Sequence, residues 1–205
     1  MDNTHVSSHS DVKLRAVTPD DAQKLLNIYA YYVQKTAITF EYDVPSVHDF
    51  RNRILRITEK YPCIAAVHDG KIIGYAYAGP FHERAAYGWS AEATVYVAPG
   101  LRHGGIGPVL YKALEGALTE QNIINLYACI AVPDSDDEFL TGNSVGFHKH
   151  MGYRPIGEFR KCGYKFGRWY NMVWMEKMLG DHPTEPRPVI SFSETDVFSR
   201  LKTDL

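Results

Sequence analysis

The chain has 205 residues, of which 45% are apolar, a size and content that suit one domain with one substantial core. Lysine and arginine number 22 against 24 acidic residues, a formal charge of -2, so no single-sign field is available to drive nucleic-acid binding. No apolar run approaches the ~20 residues that span a bilayer, and no membrane partner is expected.

Three cysteines are present, Cys63, Cys129 and Cys162. The number is odd and no CxxC occurs, so neither a zinc clip nor a disulfide framework is indicated. Reduced thiols in a cytoplasmic protein fit this usage best. A catalytic cysteine is the lesser alternative, because reactivity needs an electropositive neighbourhood that sequence does not show. Residues 1–11 are polar and lack the apolar stretch of a secretory signal, so they read as an N-terminal arm.

In chain order, Val12 to Ala16 alternates as a short strand does. Thr18-Pro19-Asp20-Asp21 is a helix start, with Thr18 as cap, Pro19 at the first helical position and Asp21 completing a variant capping box. Ala22, Leu25, Leu26, Tyr29, Tyr32 and Val33 follow at helical spacing. Ser46 opens a second helix with Phe50, Ile54 and Ile57 on one face. The runs 63–67 and 72–78 flank His68-Asp69-Gly70-Lys71, a strong hairpin signal. After a loop, 91–98 reads as a fourth strand ended by Pro99-Gly100. A glycine-rich turn then leads into a helix with Ile106, Val109, Leu110, Ala113, Leu114, Ala117 and Leu118 on one face. Residues 126–132 form a buried strand, and Asn143 to Met151 a short helix stopped by Gly152. Two further strands fall within 154–162 and 168–177.

The order β-α-α-β-β-β-α-β-α-β-β is an α+β pattern around one mixed sheet. It assigns 12–179 to a single domain. The tail, 180–205, is a poor core candidate, and two readings stay open for it: disorder, or docking on a partner subunit.

The strongest motif is Arg102-His103-Gly104-Gly105-Ile106-Gly107, between a strand and an amphipathic helix. Glycines there let backbone approach a ligand, and free N–H groups at a helix N-terminus suit a pyrophosphate. Arg102 can add a charge-assisted bond to phosphate. A dinucleotide-binding reading needs GxGxxG after the first strand, and an ATP-binding loop needs Gly-Lys-Ser/Thr. Neither is present. A merely structural turn remains the alternative when the motif is taken alone.

Arg102-x-x-Gly105-x-Gly107 after Thr94-Val95-Tyr96-Val97 resembles the coenzyme A motif of the GNAT superfamily of N-acetyltransferases. The stretch 84–97, Thr39-Phe40-Glu41 and 163–169 are similar to the phosphinothricin acetyltransferases, and the likeness runs from about Lys13 to Met178 in the same order. The acidic segment 133–140 looks like an insertion, and the tail lies outside the match.

The resemblance implies a mostly antiparallel mixed central sheet flanked by helices and splayed around the fourth strand. It also implies acetyl-CoA as co-substrate, a small-molecule amine as acceptor, and a homodimer. Val95, Tyr96 and Val97 would border the pantetheine arm, with a strand N–H stabilising the oxyanion. The loop Arg102, His103, Gly104, Gly105, Ile106 and Gly107 would hold the pyrophosphate. Asn143 and His148, on the short helix, would border the coenzyme; a capping role for Asn143 stands equally open.

Glu92 is the candidate base that takes a proton from the amine, with a solvated strand-end charge as its alternative reading. For the acid, His148 and Tyr153 are candidates, with packing as the simpler reading of each. Phe40, His82, Arg84 and Tyr87 match acceptor-binding positions. His82, standing where those enzymes often carry lysine, weakens the hold on a second anion. Lys165 and Arg168 line a dimer-side wall or are exposed charges. His148 and His150 diverge on their helix and no carboxylate joins them, so no metal is expected. Two other functions remain: a protein or peptide N-acetyltransferase, and a non-catalytic acyl-CoA-binding module.

Overall fold

The computed structural model describes residues 12–101 and 104–202. The polar arm, Arg102, His103 and the last three residues lie outside them. The elements in order are β1 (Lys13–Ala16), a 3-10 turn (Pro19–Asp21), α1 (Ala22–Lys35), α2 (Val47–Thr58), β2 (Cys63–His68), β3 (Lys71–Pro80), a 3-10 turn (Ala85–Tyr87), β4 (Ser90–Val97), α3 (Ile106–Glu120), β5 (Asn125–Val132), α4 (Asn143–His150), β6 (Arg154–Lys165), β7 (Arg168–Met178), a 3-10 turn (Phe192–Glu194) and α5 (Asp196–Lys202).

The seven strands form one sheet in the order β1-β2-β3-β4-β5-β7-β6. Every pairing is antiparallel except β4 with β5, which is parallel. That parallel ladder covers only Ser90↔Asn125, Ala91↔Leu126 and Glu92↔Tyr127. Beyond Glu92 the two strands part, so the expected mixed sheet with a splay at the fourth strand is present.

Local chemistry accounts for the boundaries. The capping box of Thr18 and Asp21 forms, and the Ser46 side chain accepts from the Asp49 N–H at the start of α2. Asp69 and Gly70 both take positive φ (49° and 70°), as a two-residue hairpin turn matching the strand twist requires. A second such turn, Phe166-Gly167 (φ 51° and 75°), joins β6 to β7 and lets β6 run to Lys165, past the expected end at Cys162. Phenylalanine at positive φ carries no turn signature, which is why the turn is not legible in the sequence.

One face of the sheet packs on α3 through Ile106, Leu110, Tyr111, Leu114, Ala117 and Leu118. Val109 and Ala113, expected on that face, are only partly buried, and Tyr111 is fully buried instead. The opposite face carries α1 and α2 over Cys63, Ala65, Tyr75 and Tyr96. The acidic segment folds as a self-capped loop. Asp137 accepts from the Phe139 and Leu140 N–H groups and Asp136 from that of Gly142, while Leu140 is buried against Ala37, Ala131 and Tyr170.

The tail packs on its own chain. Gln121, fully buried, donates from Nε2 to the carbonyls of Lys60 and Ile190, both at 2.8 Å. Phe192 is buried, and its N–H reaches the Lys60 carbonyl at 2.9 Å. Glu120 accepts from the Val197 N–H and pairs with Arg200, which ties α5 to the end of α3. Removing the Phe192 ring leaves a cavity between the tail and the core. Phe192→Ala is expected to lose about 3 kcal/mol of unfolding free energy in a denaturant titration.

Candidate active site

The splay exposes backbone on β4. The Ala98 N–H donates to the Ile73 carbonyl at 2.8 Å, so by strand alternation Tyr96 and Thr94 also turn their backbone groups to β3. Those of Ala93, Val95 and Val97 face the β5 side. Past Glu92 no strand lies opposite, and the N–H and C=O of Val95 look into the gap. At Val97 the gap is partly filled. The Tyr32 hydroxyl donates to its carbonyl at 2.5 Å and receives its N–H at 3.2 Å. A ligand amide reaching Val97 has to share or replace that hydroxyl.

Tyr96 departs from expectation. Its ring is buried among Tyr29, Tyr32 and Tyr75 on the α1 face, and its backbone is paired with Tyr75. It offers the gap neither side chain nor N–H, because alternate strand residues point to opposite sides.

At the mouth of the gap, Gly105 caps α3 in the left-handed region (φ 73°), a conformation glycine reaches without strain. Gly104, Gly105, Ile106 and Gly107 thus lead into the positive end of a 15-residue helix. Gly107 lies against α4, since a Cβ there would come 3.2 Å from the Phe147 ring. Arg102 and His103 are outside the described residues. Asn143 is the first residue of α4, with Gly142 at the cap position; its exposed side chain makes no capping bond and is open to a ligand. His148 is buried, its Nδ1 bonded to the Ser144 carbonyl (2.7 Å) and its Nε2 to the Tyr111 hydroxyl (2.8 Å). Burial lowers its pKa, so the ring is neutral, and both nitrogens are already used within the core.

Glu92 stands where the β4–β5 ladder ends. Burial pushes its carboxyl pKa above the usual range, and no cation or hydrogen-bond donor offsets the effect. It shares its sheet face with Tyr77 and Thr94, and with Tyr127, Cys129, Met172 and Trp174 of the neighbouring strands. These residues are all half-buried, in contrast to the covered face opposite, and together they floor an open basin.

Two loops wall the basin. One carries Phe81, stacked on Tyr127 with ring centres 4.2 Å apart, then His82 and Tyr87, whose rings pack together. Arg84, on the same loop, is exposed and carries no ion pair among the described residues. The other wall is Phe40, tilted against Tyr170. Lys165 is not an exposed charge. It is buried, and its pKa is lowered by desolvation, with Glu41 opposing. Arg168 is engaged by Asp137 and Glu138. The wall residue Phe81 and the floor residues Tyr127, Cys129 and Trp174 were not legible as site residues; the only signal was a β5 run with side chains suited to burial on both faces.

The profile described as "Acetyltransferase (GNAT) domain" matches residues 14–174. A phosphinothricin N-acetyltransferase of Streptomyces coelicolor is 34% identical over 174 residues, 83% of this chain and 98% of that protein. An L-methionine sulfoximine/L-methionine sulfone acetyltransferase of Pseudomonas paraeruginosa is 29% identical over 134 residues, covering 65% of this chain and 73% of its own. Among solved structures, a GNAT superfamily phosphinothricin acetyltransferase from Sinorhizobium meliloti, in complex with AcCoA, superposes with a TM-score of 0.79 at 30% identity, covering 88% of this chain and 95% of that one. A ribosomal-protein-alanine N-acetyltransferase from Brucella melitensis gives a TM-score of 0.73 at 29% identity, over 81% and 99%. A splayed mixed sheet with a glycine-led helix at the splay defines a class of acyl-CoA-using enzymes. This chain belongs to the GNAT acetyltransferase family.

A carboxyl whose folded pKa is raised penalises the fold at pH values above that pKa and not below its unfolded value. Glu92→Gln is therefore expected to raise the melting temperature at neutral pH. The gain should fade as pH falls through the raised pKa into the ordinary carboxylate range, which melts at a series of pH values will read.

Proposed function

We propose that the protein transfers the acetyl group of acetyl-CoA to the primary amine of a small amino acid or analogue, such as methionine sulfoximine or phosphinothricin. The observation that carries this reading is Glu92, half-buried and unpaired at the point where the sheet opens. An α-amine is largely protonated at neutral pH, and a carboxylate with a raised pKa is a better base than an exposed one. Glu92 accepts the ammonium proton, directly or through water, leaving the nitrogen lone pair free to attack. The coenzyme supplies the thioester. Val95 offers backbone groups for its arm, Gly104 to Gly107 offer a cradle for its pyrophosphate, and the Asn143 side chain stands open beside them. These groups fit an extended, amide-bearing diphosphate ligand.

The acceptor side has a definite charge inventory. Among the described floor residues of β3, β4, β5 and β7 facing the basin there is no lysine or arginine. Arg53 is paired with Glu41, Arg168 with Asp137 and Glu138, and Lys165 with backbone carbonyls. Arg84 on the rim is the unpaired cation beside the basin, and it matches one carboxylate. Away from Glu92 the floor under the acceptor's side chain is largely aromatic, and its other carboxylate, Glu176 beside Tyr127, is paired with Arg154. Amino acids with a neutral side chain therefore fit better than those with a second anion.

The test is thiol release from acetyl-CoA with a panel of amines. Turnover is expected with methionine sulfone or sulfoximine, with kcat/KM about tenfold above that for phosphinothricin, since one unmatched charge-assisted bond is worth about 1.4 kcal/mol or more. Arg84→Ala should reduce kcat/KM for all α-amino acids, and Glu92→Gln should abolish turnover while acetyl-CoA still binds. No amine-dependent release across the panel would overturn the proposal. The likeness to the Brucella enzyme supports a second reading, acetylation of a peptide amino terminus. Inhibition by peptides but not by free amino acids would favour it; the loops that wall the basin on two sides argue for the smaller acceptor.

We also propose a cytoplasmic homodimer. Free thiols at Cys63, Cys129 and Cys162 suit a reducing compartment. The terminal strand β6 and the start of β7 expose Ile156, Phe159, Tyr164 and Trp169, with Phe159 and Trp169 each 58% accessible, a patch that a second copy would cover. Phe159→Glu is expected to convert a dimer to a monomer in sedimentation velocity; a monomeric wild type would overturn this assignment.

A further inference from the structure

The wall of the acceptor basin that carries Phe40 belongs to residues 36–46, which have no helix or strand of their own. A loop of that length holds one geometry only if its backbone groups find fixed partners. The partners come from the far end of the sheet, at the β6–β7 turn. Lys165, 1% accessible, donates from Nζ to the carbonyl of Thr36 at 2.9 Å and to that of Thr39 at 2.7 Å. These carbonyls flank the bend that presents Phe40. The Phe40 ring lies flat on Gly163, where a Cβ would fall 2.1 Å from a ring carbon. The Tyr42 hydroxyl donates to the Tyr164 carbonyl just beyond. Ala37 is held from the side by its N–H to the Phe139 carbonyl at 3.1 Å, and Glu41 by Arg53 at 2.8 Å.

Lys165 is an unusual residue for this task. A buried ammonium costs several kcal/mol of desolvation unless its protons are satisfied, and no carboxylate bonds to it. An apolar side chain of similar length would fill the same space without that penalty. What it could not do is satisfy two converging carbonyls at once. The position therefore trades stability for a fixed loop.

We propose that Lys165 is a positioning residue for the acceptor pocket: by clamping the Thr36 and Thr39 carbonyls it holds Phe40 on Gly163 and so fixes the width of the basin over Glu92. It does not touch the reacting atoms. Its effect on catalysis passes through Phe40 and falls on the amine, not on the coenzyme. This inference rests on the acetyltransferase reading for its kinetic consequence, but its structural half stands apart from it.

The test compares Lys165→Met with wild type in the intact protein. Hydrogen exchange measured over residues 36–42 without ligands should accelerate about tenfold as the two bonds are lost. The KM for the amino acid should rise about fivefold while the KM for acetyl-CoA stays unchanged. In a Phe40→Ala background, adding Lys165→Met should change the amine KM by less than about twofold, since both substitutions act on one element. Unchanged exchange in the loop, or fully additive effects on KM, would overturn the proposal.

Should Lys165→Met not fold, Gly163→Ala displaces the same ring from beneath while keeping the ammonium. The same selective rise in amine KM is then expected, and an unaltered KM counts against the clamp. If wild type turns over no amine, the acetyltransferase reading has failed, and the exchange measurement still decides whether Lys165 fixes the loop.

Discussion

Beyond the Glu92–Tyr127 pair, β4 and β5 no longer hydrogen-bond, and the rest of the site depends on that parting. A parallel ladder that continued would bury the Val95 backbone in the sheet and close the floor around Glu92. Because it stops after three residue pairs, backbone polar groups that would normally be satisfied by a neighbouring strand face a gap. Unpaired backbone is costly unless something occupies it, and the chain already supplies one such occupant in the Tyr32 hydroxyl at Val97. Glu92 stands at the end of that short ladder, and burial raises its pKa. One feature of strand pairing thus leaves unpaired β4 backbone facing a gap and a buried carboxyl at its end.

The two faces of the sheet divide the labour. The α3 face is packed with Leu110, Leu114, Leu118 and their partners and provides the rigid body from which the glycine-led turn projects. The other face is covered by α1 and α2 over β1 to β4 only. It is left open over β5 and β7, where Tyr127, Cys129 and Trp174 are half-buried. A basin on an uncovered part of a sheet needs walls from loops. Here one wall is stiffened by ring stacking on the floor, and the other by hydrogen bonds from a buried lysine. The tail adds a further tie, because the Trp89 indole N–H donates to the Arg187 carbonyl at the base of the 81–88 loop.

The charges around the basin are mostly paired within the protein. Arg53, Arg168 and Lys165 each end on oxygen atoms of the protein itself, while Arg84 has no ion pair among the described residues. The acidic segment does not present a charged field to the basin. Its carboxylates cap their own loop and bind Arg168, Tyr170 and Asn171. What reads in the sequence as a run of four acidic residues is in the structure a locally neutralised turn.

Periodicity and punctuation in the sequence determined the element order, the 69–70 hairpin, the caps at Thr18 and Ser46, and the helix after the glycine-rich turn. Those signals are local and obey backbone sterics wherever they occur. The resemblance carried by 84–97 and 102–107 put forward Glu92 as the base and 102–107 as the coenzyme loop. Tertiary structure decided the rest. Strand alternation sent Tyr96 into the core, and a hydrogen bond to Tyr111 drew His148 there. Pairing across more than a hundred residues buried Lys165 against the Thr36 and Thr39 carbonyls, where the sequence left it either on a dimer-side wall or as an exposed charge. The tail gave no sign of its docking site, because Gln121, Lys60 and Phe192 are remote in sequence and meet only once the sheet has formed. Local sequence fixes which hydrogen bonds a segment makes with itself; which groups are left for distant partners is known only when the chain has folded.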